Sequence, residues 1–267
     1  GEKERSRFGF DVESGEATTV YNELFSLKGC RPAGIHCHFS TRHRSLDSFK
    51  LRTEKLGGFA RSIFEGQIRN LDYVNIGGGF FGEVNEQNKD QFPAQTPSFA
   101  DYAEVIGHIM KKNFPDDLVT LILEPGAALV VNTMRYYCRV YSVKMIESKP
   151  VVTVTGSLHT IRPTLTSSDI SFDVIKMSTQ QNHLQNATVA GYTCLENDII
   201  HNSFSGDIRV GDFLEFKNMG AYNTVFKPPF IKGAPPIVMV HECNEKVEFD
   251  LIRKKETADM FLTSYVL

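Results

Sequence analysis

The sequence predicts an α/β half followed by a β-rich half. Apolar runs at residues 34–39, 71–76 and 118–123 alternate with segments of helical period. Near-continuous apolar strands joined by helices make a parallel sheet covered on both faces. Beyond Asn132 the texture changes to short runs rich in aromatic and β-branched residues, with turns between them and no helix of comparable strength. That pattern predicts a mostly antiparallel sandwich or barrel. The change of texture divides the chain into domains at 1–132 and 133–267.

Within the first half, Leu46, Phe49, Leu56, Phe59, Ala60 and Ile63 recur at helical spacing and predict a helix over 45–64. A second helix opens at Ser98, where Asp101 three residues on completes a capping signature. Its apolar stripe is Tyr102, Val105, Ile106 and Ile109. In the second half the strand candidates are 135–144, 151–155, 212–216, 237–241 and 261–266. The polar, Gln/Asn-rich segment 178–186 reads as an exposed loop, and no internal repeat is present.

At 267 residues the chain can bury one large core or two modest ones. A hydrophobic share of 41% and a charged share of 23% suit a soluble globular protein. The net charge of −3, without a basic block, argues against a nucleic-acid partner. The longest apolar stretches, such as 118–123 and 236–240, are strand-sized and too short for a membrane helix. The first five residues are charged and polar, so no signal peptide is expected. Five scattered cysteines without a C-x-x-C pair argue against a disulfide framework and a structural zinc site. A reduced, cytoplasmic protein is the expectation.

Chemistry-bearing residues fall at the carboxyl ends of the three apolar strands. Gly77-Gly78-Gly79 ends the second, and three glycines in a row leave backbone amides free to approach an anion such as a phosphate. A tight turn after a buried strand would ask for the same glycines. His36-Cys37-His38 ends the first strand, with the two imidazoles on one side; a hydrogen-bonded core histidine and a metal pair are both open there. Glu124-Pro125-Gly126 ends the third, where a carboxylate is costly unless it has a partner. Downstream lie Gly191-Tyr192-Thr193-Cys194 and Gly220-Ala221-Tyr222.

These five pieces, in this order, resemble the pyridoxal-phosphate-dependent amino-acid decarboxylases of the alanine-racemase-like fold, the family of ornithine and diaminopimelate decarboxylases. The resemblance covers essentially the whole chain but only the later two-thirds of the family's. It implies the later strands of a (β/α)8 barrel, followed by a β-rich C-terminal domain that contributes active-site residues at a dimer interface. The family's first barrel strands, with the lysine that holds the cofactor, would either come from a separate N-terminal segment or be missing from a truncated product.

The resemblance implies pyridoxal 5'-phosphate as cofactor and no metal. His38 would stack on the pyridine ring, and Glu124 would pair with its nitrogen. The phosphate would meet Gly77, Gly78, Gly79, Gly126, Tyr222 and Thr41, the last standing where the family has a serine. Ala127 stands where the family usually has an arginine. Arg162 and His159 would meet the carboxylate of an amino-acid substrate. Cys194 would help reprotonate the substrate carbon after carbon dioxide leaves, reaching into the site of the other subunit of a homodimer. Glu196 and Asp198 would meet the substrate's distal group, although Leu195 occupies the place where the family often has an acid. A non-catalytic relative, serving as a binding or regulatory protein, is the alternative. A metal-dependent hydrolase built on His36 and His38 would need further ligands at later strand ends.

Overall fold

The structure is a computed structural model. It describes residues 7–41, 44–64, 71–82, 96–115, 118–161, 169–226, 230–243, 246–263 and 265. The chain forms two compact units, Gly1–Val131 and Asn132–Leu267.

In the first unit, strands β1 (Gly34–His36), β2 (Tyr73–Asn75) and β3 (Thr120–Ile122) form a parallel sheet in that order. Each is shorter than its apolar run, although single backbone hydrogen bonds carry the ladder past the strand ends. Helix α1 (Glu16–Ser26) precedes the sheet, α2 (Leu46–Ile63) follows β1, and α3 (Phe99–Asn113) precedes β3. The sequence reading missed α1, whose Ala17, Val20, Tyr21 and Leu24 lie at helical spacing; none of them is fully buried, and Tyr21 packs against the core. Residues 7–10 form bends and loop.

The two anticipated helices begin at their capping residues. Ser45 Oγ accepts the Ser48 amide at 3.3 Å. At α3, Ser98 Oγ accepts the Asp101 amide at 3.2 Å while Asp101 Oδ2 accepts the Ser98 amide at 2.7 Å, a complete capping box. Phe49, Leu56 and Ala60 of α2 and Tyr102, Ile106 and Met110 of α3 form one core with Ile35, Val74 and Leu121.

The strand register decides which way the site faces. Ile35 pairs with Val74 and Val74 with Leu121, so these three share a face and take the helices. Gly34, Tyr73 and Thr120, then His36, Asn75 and Ile122, share the other face. There Tyr73 is 37% exposed and His36 and Thr120 are exposed. Among the described residues the sheet is therefore covered on one face, where the sequence predicted two.

The second unit holds a six-stranded sheet of order β6-β9-β4-β5-β7-β8. Its strands are β4 (Tyr136–Ile146), β5 (Lys149–Val154), β6 (Asp173–Ile175), β7 (His183–Ala190), β8 (Ile199–Asp207) and β9 (Phe213–Phe216). All neighbours are antiparallel except β5 and β7. The first part of β4 pairs with β9 and the rest with β5. The sheet curls far enough that the Ile170 amide, just before β6, donates to Ile200 of β8 at 2.9 Å. Val140, Val152, Val189, Ile200, Leu214 and Phe216 share the resulting core.

A hairpin of β10 (Ile237–Cys243) and β11 (Lys246–Arg253) follows. Two short helices, α4 (Ala127–Val130) and α5 (Leu158–Ile161), lie in the strand-connecting segments of the two units, and α6 (Ala258–Leu262) lies near the chain end.

Two sequence expectations fail in this half. The strand read over 261–266 does not form over its described part: Phe261 and Leu262 end α6, whose Ala, Met and Leu favour helix and whose first turn carries Asp259, and Thr263 and Tyr265 lie in a turn and a bend. The loop read over 178–186 ends at Asn182, and β7 begins at His183. The buried positions of β7 are Leu184, Ala187 and Val189. A register break between the first two, with Asn186 at φ +52°, hides the alternation that would have signalled a strand.

Candidate functional site

Continuing each parallel strand by two residues from the His36–Asn75–Ile122 row reaches His38, Gly77 and Glu124 on the same open face. The backbone continues the ladder past the strands: the Ile76 amide donates to Ile122 O at 3.2 Å and the Glu124 amide to Gly77 O at 3.0 Å. The sheet thus brings His36, His38, Asn75 and Glu124 together. Glu124 Oε1 lies 3.4 Å from His36 Nε2, and Oε2 lies 3.4 Å from His38 Nδ1. Asn75 Nδ2 donates to Glu124 Oε1 at 2.8 Å. That hydrogen bond, followed by the neighbouring imidazoles, holds the Glu124 carboxyl below its ordinary range. All three ionisable side chains are exposed, and one ligand atom from each falls within a 4.8 Å group able to take a metal ion.

The glycine triplet is more committed than the sequence suggested. Gly77 donates its amide to Asn75 Oδ1 at 2.8 Å, and Gly78 donates to His38 Nδ1 at 3.2 Å. Accepting at Nδ1 leaves the ring proton of a neutral His38 on Nε2. Side chains are excluded at both positions by the chain itself: a Cβ on Gly77 would stand 2.7 Å from Cys37 O, and one on Gly78 2.3 Å from Glu124 O. Among the described residues, the amide of Gly79, at φ +89°, has no partner, and neither does that of Ser40 beside it. The expectation that all three glycine amides are available is corrected to one, because Asn75 and His38 occupy the other two.

Sequence reading also missed Arg52 and Asn75. Arg52 is 7% exposed, and its Nη1 donates to Phe39 O at 2.6 Å and to Gly78 O at 3.2 Å. A polar residue in the middle of α2 gave no sign of this reach; an asparagine closing a buried strand before glycines is the one signal that pointed to Asn75. Thr41 Oγ1 accepts the Arg44 amide at 3.0 Å and so shapes the turn into α2 while its hydroxyl proton stays free to donate. Gly126 takes φ +39° between Glu124 and α4.

The second unit gathers a separate group. Cys194 and Glu196 are exposed and line a cleft of about 310 Å³ with Val151, Thr188 and Ile199. Asp198 is different. It is 2% exposed, and its Oδ1 accepts Ser157 Oγ and the Leu158 amide at 3.0 and 2.7 Å. Its Oδ2 accepts the Thr193 amide and hydroxyl at 3.1 and 2.7 Å. With both oxygens engaged by the chain, Asp198 builds the Cys194 loop, which corrects its expected place among substrate contacts. His159 is half-buried; its amide donates to Ser157 Oγ at 3.2 Å, and its Nε2 is buried without a partner among the described residues. Tyr222 is 50% exposed at φ +66°, its ring centroid 5.7 Å from that of Phe226. Arg162 lies outside the described residues.

Comparison with known proteins bears on both units. Residues 1–131 match the family model described as pyridoxal-dependent decarboxylase, pyridoxal binding domain. The first unit belongs to this family. Over 98% of its length the chain is 27% identical to a diaminopimelate decarboxylase of Methanocaldococcus jannaschii, of which it covers 58%. It is 26% identical to an L-glutamyl-[BtrI acyl-carrier protein] decarboxylase of Niallia circulans, with 95% of the chain and 59% of the relative covered. The crystal structure of the M. jannaschii diaminopimelate decarboxylase superposes with a TM-score of 0.79 at 25% identity, covering 98% of this chain and 58% of that one. The structure of diaminopimelate decarboxylase from Helicobacter pylori complexed with L-lysine superposes at 0.77 with 20% identity, covering 98% of this chain and 61% of that one. The chain thus spans a little under three-fifths of the length of the curated relatives it matches.

The cofactor of a pyridoxal binding domain is pyridoxal phosphate, and the residues present fit it. The free Gly79 and Ser40 amides suit the phosphate. An exposed His38 ring and a Glu124 carboxylate held ionised by Asn75 suit the face and the nitrogen of a pyridine.

Proposed function

We propose that the protein works within a pyridoxal-phosphate-dependent decarboxylase acting on an amino acid or a modified amino acid. One observation carries the reading: the strand ends that bring Glu124 and His38 together run on to Ser40 and Gly79, whose backbone amides have no partner among the described residues. A carboxylate and an anion cradle side by side match the two ends of a phosphorylated pyridine.

In this reading Glu124 holds a proton at the pyridine nitrogen, and His38 covers one ring face. Gly79 and Ser40 donate amides to the phosphate, with Thr41, Gly126 and Tyr222 as further contacts and with Gly77 and Gly78 acting through the shape of the turn. When bound, the cofactor supplies an electron sink for the bond that breaks as carbon dioxide leaves. The thiol of Cys194 delivers a proton to the carbon left behind, and Glu196, His159 and Arg162 meet the rest of the substrate. The exposed apolar residues Val238, Val240, Phe249 and Leu251 of the β10–β11 hairpin suit burial against a second copy, the homodimer that a shared site requires.

The trio His36, His38 and Glu124 also gives a metal centre the third ligand that sequence reading asked for. The Ser40 and Gly79 amides beside it suit an anion such as a phosphate, and they favour the cofactor reading.

The test is a pyridoxal phosphate titration followed by visible absorption, with release of labelled carbon dioxide from carboxyl-labelled diaminopimelate, lysine, ornithine and arginine. A bound-cofactor band with release from one of these is the expected result. A band without release from any amino acid would point to the non-catalytic alternative, and absence of a band would overturn the reading.

A further inference from the structure

We infer that Arg52 is a positioning residue for anion binding: one buried guanidinium nitrogen orients the two peptide planes whose amides, Ser40 N–H and Gly79 N–H, form the cradle. The inference rests on the proposed phosphate reading of this site and adds a residue to it.

In a planar trans peptide the carbonyl oxygen and the following amide hydrogen point in opposite directions. Arg52 Nη1 donates to Phe39 O and to Gly78 O. Each bond fixes a peptide plane, and in each the next N–H, that of Ser40 or of Gly79, is turned away from the guanidinium. The two planes are neighbours, since a Cβ on Gly79 would stand 3.0 Å from Ser40 Oγ and 3.4 Å from Ser40 Cα. Neither amide has a partner among the described residues. The donors are thus held side by side, which is the arrangement that binds an anion.

The charge of Arg52 supports the same conclusion. Its guanidinium lies 4.0 Å from the Phe49 ring centroid, and its buried Nε has no partner among the described residues. No carboxylate among those residues pairs with it; the ionisable groups facing it are Cys37 and Tyr102. A buried cation without a counter-ion is costly, and an anion on the far side of the two peptides would offset that cost. Arg44 plays a lesser part in the same loop by donating to Phe80 O at 3.0 Å. Its amide plane does not join the cradle, because the Phe81 amide meets Tyr102 Oη at 3.4 Å.

The test is isothermal titration of native protein, Arg52→Lys and Arg52→Met with pyridoxal phosphate, with pyridoxal and with inorganic phosphate. Amide NMR shifts of Ser40 and Gly79 are followed during the phosphate titration. Loss of hydrogen bonds from a charged donor predicts about tenfold weaker pyridoxal phosphate and phosphate binding in Arg52→Met, with pyridoxal changed less than about twofold. Arg52→Lys, which keeps the charge but not the planar fork, is expected to fall between the two. If Arg52→Met does not fold, the lysine variant carries the comparison alone.

Equal losses for pyridoxal phosphate and pyridoxal would reduce Arg52 to a general structural role and overturn the inference. So would native binding that leaves the Ser40 and Gly79 amides unmoved. Native protein that binds neither phosphate nor pyridoxal phosphate would instead sink the cofactor reading, and the inference with it.

Discussion

Asn75 bridges the two functional strand ends: its Nδ2 donates to Glu124 Oε1 and its Oδ1 accepts the Gly77 amide, both at 2.8 Å. One side chain therefore fixes the carboxylate and the turn that carries the glycines. Asn75→Ala is expected to loosen both. The hydrogen bond from Asn75 is the largest influence holding the Glu124 carboxyl below its ordinary range, so the variant should titrate Glu124 at a higher pH. The sign follows from linkage. A lowered carboxyl contributes stability above its unfolded-state value and loses it as pH falls through the lowered one. In Asn75→Ala the folded-state value lies nearer the unfolded one, so the contribution is smaller and is fully lost at a higher pH. Carbon NMR of the Glu124 carboxyl in both proteins measures the shift; an unchanged midpoint would remove Asn75 from this role.

Two glycines in the first unit predict opposite outcomes for the same substitution. Gly78→Ala puts a methyl 2.3 Å from Glu124 O, a backbone atom that cannot step aside. Overpacking of this kind costs about 1–3 kcal/mol or more, and it displaces the Glu124 strand end. Gly58, inside α2, has nothing within 4 Å of the added methyl. Gly58→Ala should stabilise the protein by about 0.5–1 kcal/mol through helix propensity alone. Urea melts of the pair decide the matter. A neutral Gly78→Ala would mean that the three strand ends are not packed as closely as described.

The thiols should separate by environment. Burial pushes the Cys138 thiol up to about 12, and at 3% exposure it is closed to reagents. Cys194 and Cys30 are exposed. Iodoacetamide at neutral pH is expected to label Cys194 and Cys30 well before Cys138, with mass spectrometry of peptides as the readout. Because only Cys194 lies in the proposed site, substrate or product should protect it and leave Cys30 unaffected.

The parts legible in the sequence are those set by local pattern. Ser98 and Asp101 announced one helix start, apolar spacing from Leu46 to Ile63 announced the other helix, and the apolar runs placed His38, Gly77 and Glu124 at strand ends before their register was known. What escaped depends on reach. Arg52 lies 13 residues from Phe39 and 26 from Gly78, and a helical wheel reports the face it occupies without saying what a long side chain touches beyond it. Asp198 looked like a ligand because it stands at a position that the resembling family keeps acidic. Its four internal donors come partly from Ser157 and Leu158, some 40 residues earlier in the chain.

That buried knot gives a last expectation. Asp198 accepts four hydrogen bonds, two at each oxygen. Asp198→Asn must turn an NH2 toward one of the two donor pairs, replacing attraction by a clash of donors at either choice. The cost is about 2–4 kcal/mol, taking two buried donors left without an acceptor. Gly191→Ala attacks the knot from the other side, since its methyl would stand 2.2 Å from Asp198 Oδ2. Acting on one cluster, the two substitutions should be less damaging together than the sum of their separate effects. Cys194 sits in the loop that the knot ties down, so both variants should also change its alkylation rate. Thermal melts of the single and double variants, with alkylation kinetics at Cys194, test this. Additive destabilisation and an unaltered alkylation rate would show that the Cys194 loop holds its shape without Asp198.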